Sequence, residues 1–136
     1  MKKLSVLIIT VLALGLAPDL QAQDNVFENV SEMPHFPGDS EAYHEFLSSN
    51  LKYPKEAIAL GIEGKVDLSF IVDKDGTLSN FAIIRTIGGK CDKEVLRVFK
   101  KSPKWTPGKQ DGKLVRTRVQ ASVSFKLPAN DKEDGK

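Results

Sequence analysis

Cys91 is the only cysteine, and it stands at the start of a segment with helical spacing. A helix dipole acting on a thiol there would push it toward thiolate, which is nucleophile chemistry. No histidine lies near it in sequence to act as base, and Cys91, Val95, Val98, Phe99 and Ser102 share one face. The residue therefore reads as an apolar contact. His35 and His44, with Asp39 and Glu41, offer imidazole and carboxylate ligands. Their spacing matches no pair on a helix face, and Pro37-Gly38 intervene, so no metal site is expected. Asp73-Lys74-Asp75-Gly76 opens like a calcium loop, but Ile71 and the missing downstream glutamate leave a turn. Gly61-Ile62-Glu63-Gly64 precedes a strand and is no dinucleotide fingerprint. Trp105, beside Pro107 and Gly108, has the makings of a ligand platform. Its place at a helix-to-strand crossover favours a core plug whose indole N–H finds a carbonyl. There is no Ser/His/Asp order, no G-x-S-x-G and no phosphate loop. Neither enzyme activity nor a cofactor is expected.

The whole chain has 136 residues, which fits one domain. Apolar residues make up 40% and charged residues 28%, an ordinary globular composition. A net charge of only +2 argues against a nucleic-acid binder. That small total hides a division. Gln23 to Leu51 carries six acids and no Lys or Arg, whereas Lys93 to Lys126 carries ten bases and two acids. Blocks of this kind are either solvated faces or a basic surface for an anionic partner.

Lys2 and Lys3 precede an apolar run from Leu4 to Ala17, which Pro18 breaks. The run is shorter than the roughly 20 residues a membrane span needs. It reads as a signal peptide over residues 1–22, cleaved after Ala22, with export to the periplasm. Residues 23–39 read as an extended acidic lead-in, residues 40–128 as one domain, and residues 129–136 as a disordered polar tail.

Within the domain, Tyr43, Phe46, Leu47 and Asn50 recur at helical spacing, with Asp39 or Ser40 as cap. Tyr53-Pro54 ends that helix and starts a second, which Gly61 closes. Val66, Leu68, Phe70 and Val72 alternate as in a strand; Leu78 to Ile87 returns across the Gly76 turn. A third helix follows, capped by Asp92 and closed by Pro103. The last strand puts Val115, Thr117, Val119, Ala121, Val123, Phe125 and Leu127 on one face. The fold class is α+β: a three-stranded antiparallel sheet with helices on one face, in the order α-α-β-β-α-β. Structural roles are expected at Pro54, Gly61, Gly64, Gly76, Trp105, Pro107 and Gly108. Such a sheet keeps two open edges, and a long open edge is a template for capturing another chain.

The segments YPKEAIALGIEGKVDLSFIVDKDG, CDKEVLRVFKKSPKWTPGKQDGK and VRTRVQASVSFKL, in this order between about Asn50 and Leu127, resemble the C-terminal domain of the TonB family. FPGDSEAYHEFLSSN looks like the lead-in of Bacteroidota-type, stand-alone exported members. The resemblance implies a partner: the Ton box, a short extended segment at the periplasmic N-terminus of outer-membrane transporters. It implies capture on the edge of the last strand, at Val115, Thr117, Val119, Ala121, Val123 and Phe125, near Asn50, Leu51, Lys52 and Tyr53. Inner-membrane motor components are further partners in the family, and isolated domains pair as homodimers. This chain departs from a full TonB, which has an uncleaved N-terminal helix and a long Pro-rich spacer. Here the lead-in before Ser40 reaches at most about 60 Å. The alternative reading is an envelope adaptor that binds peptidoglycan or another anionic polymer through Lys100, Lys101, Lys104, Lys109 and Arg116.

Overall fold

A computed structural model describes residues 25–128. The signal peptide expected over 1–22, the first residues of the lead-in and the polar tail of 129–136 lie outside the described residues. Strand β1 (Val26–Phe27) is followed by α1 (Ser40–Asn50), α2 (Lys55–Leu60), β2 (Gly64–Val72), β3 (Leu78–Arg85), α3 (Cys91–Lys100), β4 (Gly108–Gln110) and β5 (Lys113–Phe125).

The centre is the expected antiparallel trio. β2 pairs with β3 on one side and with β5 on the other, in continuous register from Gly64↔Phe125 to Val72↔Thr117. The alternation in β2 sends Val66, Leu68, Phe70 and Val72 to one face, and all four are fully buried. α3 covers them with Cys91, Val95 and Phe99, and Val123 and Phe125 of β5, with Ala57 and Trp105, complete the cluster. α3 begins at Cys91, directly after Lys90, so Asp92 lies in the first turn and not at the cap. A negative charge there still favours the helix dipole. Asp39 caps α1, its Oδ1 accepting the Ala42 N–H at 2.9 Å.

Two short strands extend the trio. Asp111 and Gly112 both have positive φ, at 53° and 81°, and close a tight β4–β5 hairpin. The lead-in is not a bare tether. β1 runs parallel to β5, pairing Val26 with Arg116 and Phe27 with Thr117 on the side away from β2. The chain then turns back along the other strands. Glu32 pairs with Lys109 and His35 with Thr106, through backbone bonds of 2.8–3.1 Å. A two-residue strand has no period for sequence reading to detect, which is why β1 escaped it.

Aromatic rings fasten α1 and the lead-in to this frame. Phe36 lies 5.5 Å from Tyr43 and 6.0 Å from Trp105, centroid to centroid. Tyr43 lies 5.9 Å from Trp105, and Trp105 lies 5.2 Å from Phe70 in the core. One indole therefore joins the outer segment to the sheet.

Candidate functional site

β5 has neighbours on both sides only at its start. Thr117 is flanked by Val72 and by Phe27. From Arg118 to Phe125, β2 occupies one side, and among the described residues no strand occupies the other. A row of unpaired N–H and C=O groups is a template for a further strand. This edge borders two cavities. One of about 580 Å³ lies between Phe36, Tyr43 and Trp105 on one wall and Val119 to Ser122 on the other. The second, of about 400 Å³, lies between Tyr43, Leu47 and Leu51 and the stretch Ser122 to Ser124.

The residues expected to meet a partner divide accordingly. Val119, Ala121, Val123 and Phe125 line the apolar side of the open stretch. Val115 is paired with Gly108, and Thr117 is buried beneath the β1 pairing. Tyr53 packs edge-on against Phe125, with centroids 5.4 Å apart. Its hydroxyl donates to the Ile62 carbonyl, and burial, then the Glu63 charge, push the phenol pKa up. Leu51 lines the second cavity. Asn50 and Lys52 are tied the other way, to α3. The Arg97 guanidinium donates to the Asn50 carbonyl at 2.8 Å, and Glu94 accepts the Lys52 N–H at 2.6 Å. Arg97 also donates to both Glu94 oxygens, at 2.7 and 3.0 Å. This clamp sets how the chain leaves α1, and so where Leu51 and Tyr53 sit.

The Arg97 hydrogen bond comes first among the causes that hold the Glu94 carboxyl below its ordinary 4.5, with the Lys52 amide assisting. A carboxyl depressed by folding stabilises fully above its unfolded pKa, and that contribution is lost as pH falls through the folded value. Glu94→Gln is therefore expected to be less stable than wild type near neutral pH. The gap should close as pH drops below about 4.5. Urea unfolding of both proteins across that range measures it; a gap that stays constant to pH 3 or so would show that the clamp does not depend on the charge.

The expected structural positions cluster at the joints. Pro54 precedes α2, and Gly61 ends it with φ 67°. Gly64 opens β2 against Ile87, and Gly76 lies under the Trp105 carbonyl. Pro107 leads into β4, where Gly108 packs against Thr117. The Trp105 indole N–H donates to the Ser102 hydroxyl at 3.0 Å, where sequence reading expected a carbonyl.

The remaining chemical candidates are engaged elsewhere. Cys91 is fully buried; burial first, then the neighbouring Asp92 charge, push its thiol pKa up, away from thiolate. The Nδ1 atoms of His35 and His44 each meet a backbone carbonyl, of Phe36 and Ser40. In the basic set, Arg116 binds Asp73 at 2.9 Å, and Lys104 approaches Asp75 at 4.0 Å. Sequence reading missed Phe36, Leu47 and the Glu94–Arg97 clamp as parts of the site. The Glu94/Arg97 spacing of i,i+3 was the available signal for the clamp. Nothing in the aperiodic lead-in marked Phe36.

The family model for the Gram-negative bacterial TonB protein C-terminal matches residues 49–127. Among solved structures, the chain is similar to the Pseudomonas aeruginosa TonB C-terminal domain, with 27% identity and a TM-score of 0.48 over 59% of this chain and 81% of that one. It is also similar to the Helicobacter pylori TonB C-terminal domain, with 21% identity and a TM-score of 0.48 over 66% of this chain and 95% of that one. Among curated proteins none matches. Matched over more than half its length, from the last residues of α1 through the end of β5, the chain belongs to the TonB C-terminal domain family.

Proposed function

We propose that the chain is a periplasmic binding module, exported by its N-terminal segment, that captures the Ton box of outer-membrane transporters by β-strand addition. It would serve the capture step of TonB-dependent transport. The observation that carries this reading is the stretch of β5 from Arg118 to Phe125, paired with β2 on one side only. The proposed edge is shorter than the one expected from sequence, because Val115 and Thr117 already have partners. Main-chain hydrogen bonds from alternate residues would hold the incoming segment, as in other strand additions.

The test is a titration of the protein with a Ton-box peptide, followed by amide NMR and hydrogen exchange. Amide shifts should concentrate between Arg118 and Phe125. Every second amide there should gain exchange protection, because only alternate residues of a strand point their N–H outward. Affinity should change little with salt. Shifts centred instead on Lys100, Lys101 and Lys109, with binding of an anionic polymer that collapses as salt rises, would replace this reading with the basic-face adaptor.

A further inference from the structure

We infer that the outward face of α3, with the exposed end of α2 beside it, rests on an anionic phospholipid bilayer. This is a second surface, separate from the proposed capture edge and independent of that reading.

Charge pattern is the first argument. Lys93, Arg97 and Lys100 recur at i, i+4 and i+7, and all three are exposed. That spacing sets them in one row on the side of α3 opposite its buried Cys91, Val95, Val98 and Phe99. Lys90 and Lys101 stand at the two ends of the helix. The nearby acids do not cancel the row. Glu94 is engaged by Arg97 at 2.7 Å, and Glu56 of α2 meets Lys90 at 3.4 Å. Asp92 is the remaining acid of α3. Lys93, Lys100 and Lys101 form no ion pair among the described residues. A convex ridge of unmatched cations fits a plane of anionic headgroups, which meets several of them at once.

The apolar flank is the second. Ile58 and Leu60 of α2 are 50% and 65% exposed. α2 is held against the start of α3: a Cβ on Gly89 would lie 2.9 Å from the Ala57 Cα, and Glu56 meets Lys90. Cations beside exposed apolar side chains are the composition of a peripheral membrane contact. The charges meet headgroups, and the apolar groups enter the boundary with the acyl chains. A polar, anionic polymer would engage the cations and leave Ile58 and Leu60 in water. Among the described residues no helix is long and apolar enough to cross a membrane, so the contact lies on the surface.

Placement is the third. α3 packs over β2 and β3, whereas α1 borders the open stretch of β5. A domain resting on α3 therefore keeps that edge free.

The test is co-sedimentation of the full chain with vesicles of phosphatidylcholine alone, or of phosphatidylcholine and phosphatidylglycerol in equal parts. Binding should favour the anionic vesicles and weaken as salt rises. The N-terminal segment is itself apolar, so the deciding comparison is among variants that all carry it. Lys93→Gln, Lys100→Gln and Lys101→Gln should each weaken binding to anionic vesicles about fivefold. Ile58→Ser combined with Leu60→Ser should weaken it about tenfold. Urea midpoints check that each variant keeps its fold. Isolated peptidoglycan forms the parallel arm. Should the serine variant fail to fold, the lysine variants and the comparison of anionic vesicles with peptidoglycan decide. Vesicle binding that ignores lipid charge, or that the lysine substitutions leave unchanged, would overturn the proposal. Binding to peptidoglycan that needs the lysines but not Ile58 or Leu60, without preference for anionic vesicles, would replace the bilayer by a wall polymer.

Discussion

Trp105→Ala is expected to lower the free energy of unfolding by about 3–5 kcal/mol, the usual cost of truncating a buried tryptophan. The residue is 8% exposed. Its ring meets Phe70 in the core and Phe36 and Tyr43 in the outer segment, so truncation opens a cavity and also cuts the joint between two layers. The second effect has its own signature. Amide exchange in α1 and at His35–Phe36 should accelerate more than in β2, because those segments lose their anchor while β2 keeps α3. Trp105→Phe separates the contributions: it retains ring packing and gives up the bond to Ser102, worth about 1 kcal/mol. Urea unfolding with residue-resolved exchange makes the measurement. A Trp105→Ala protein that loses under about 1 kcal/mol, or whose α1 and β2 exchange alike, would contradict the bridging role.

Gly76→Ala is the second large effect, expected at about 2–4 kcal/mol. Gly76 has φ 92°, and a Cβ there would run into the Trp105 carbonyl oxygen, a backbone atom that cannot rotate away. The approach is close because the Gly76 carbonyl accepts the Trp105 N–H at 2.9 Å, tying the β2–β3 turn to the α3–β4 connection. Gly61→Ala provides the comparison. Its φ of 67° is also left-handed, but no atom lies within 4 Å of the added carbon. That substitution should cost only about 1 kcal/mol. The difference between the two thermal or urea midpoints isolates the collision from the backbone preference. Equal losses would mean that the turn and the connection can separate at little cost.

The central architecture could be read from side-chain pattern, and what escaped was set by main-chain pairing. The alternation in Val66–Val72 and Val115–Phe125 found β2 and β5, and the helical recurrence from Tyr43 to Asn50 found α1. These signals exist because each element turns a row of apolar side chains toward the core. No such signal separates Thr117 from Val119. Both sit on the same face of β5 in the same pattern, yet Thr117 has strands on both sides and Val119 has one side open. Which stretch of an edge is occupied depends on where a distant segment lands, and β1 is two residues long. The same holds for the wall of the site. Periodicity showed that Tyr43 and Leu47 face inward, but not that they face β5 across two cavities. Phe36 lies in a segment with no period at all, and its place is fixed by Trp105, far along the chain.

Strand β1 also acts as a ruler. It stops the open edge at Arg118, and the strand itself ends at Phe125, so the row measures eight residues, or about 27 Å. A longer row would bring little. Each residue added to a paired strand contributes roughly one hydrogen bond of about 1 kcal/mol. Fixing its backbone costs about 1–2 kcal/mol. Extension is therefore close to neutral, and tightness must come from what the side chains touch. Under the strand-addition proposal, a short, measured edge beside two apolar cavities would favour a brief segment, where a long bare edge would accept any extended chain it met.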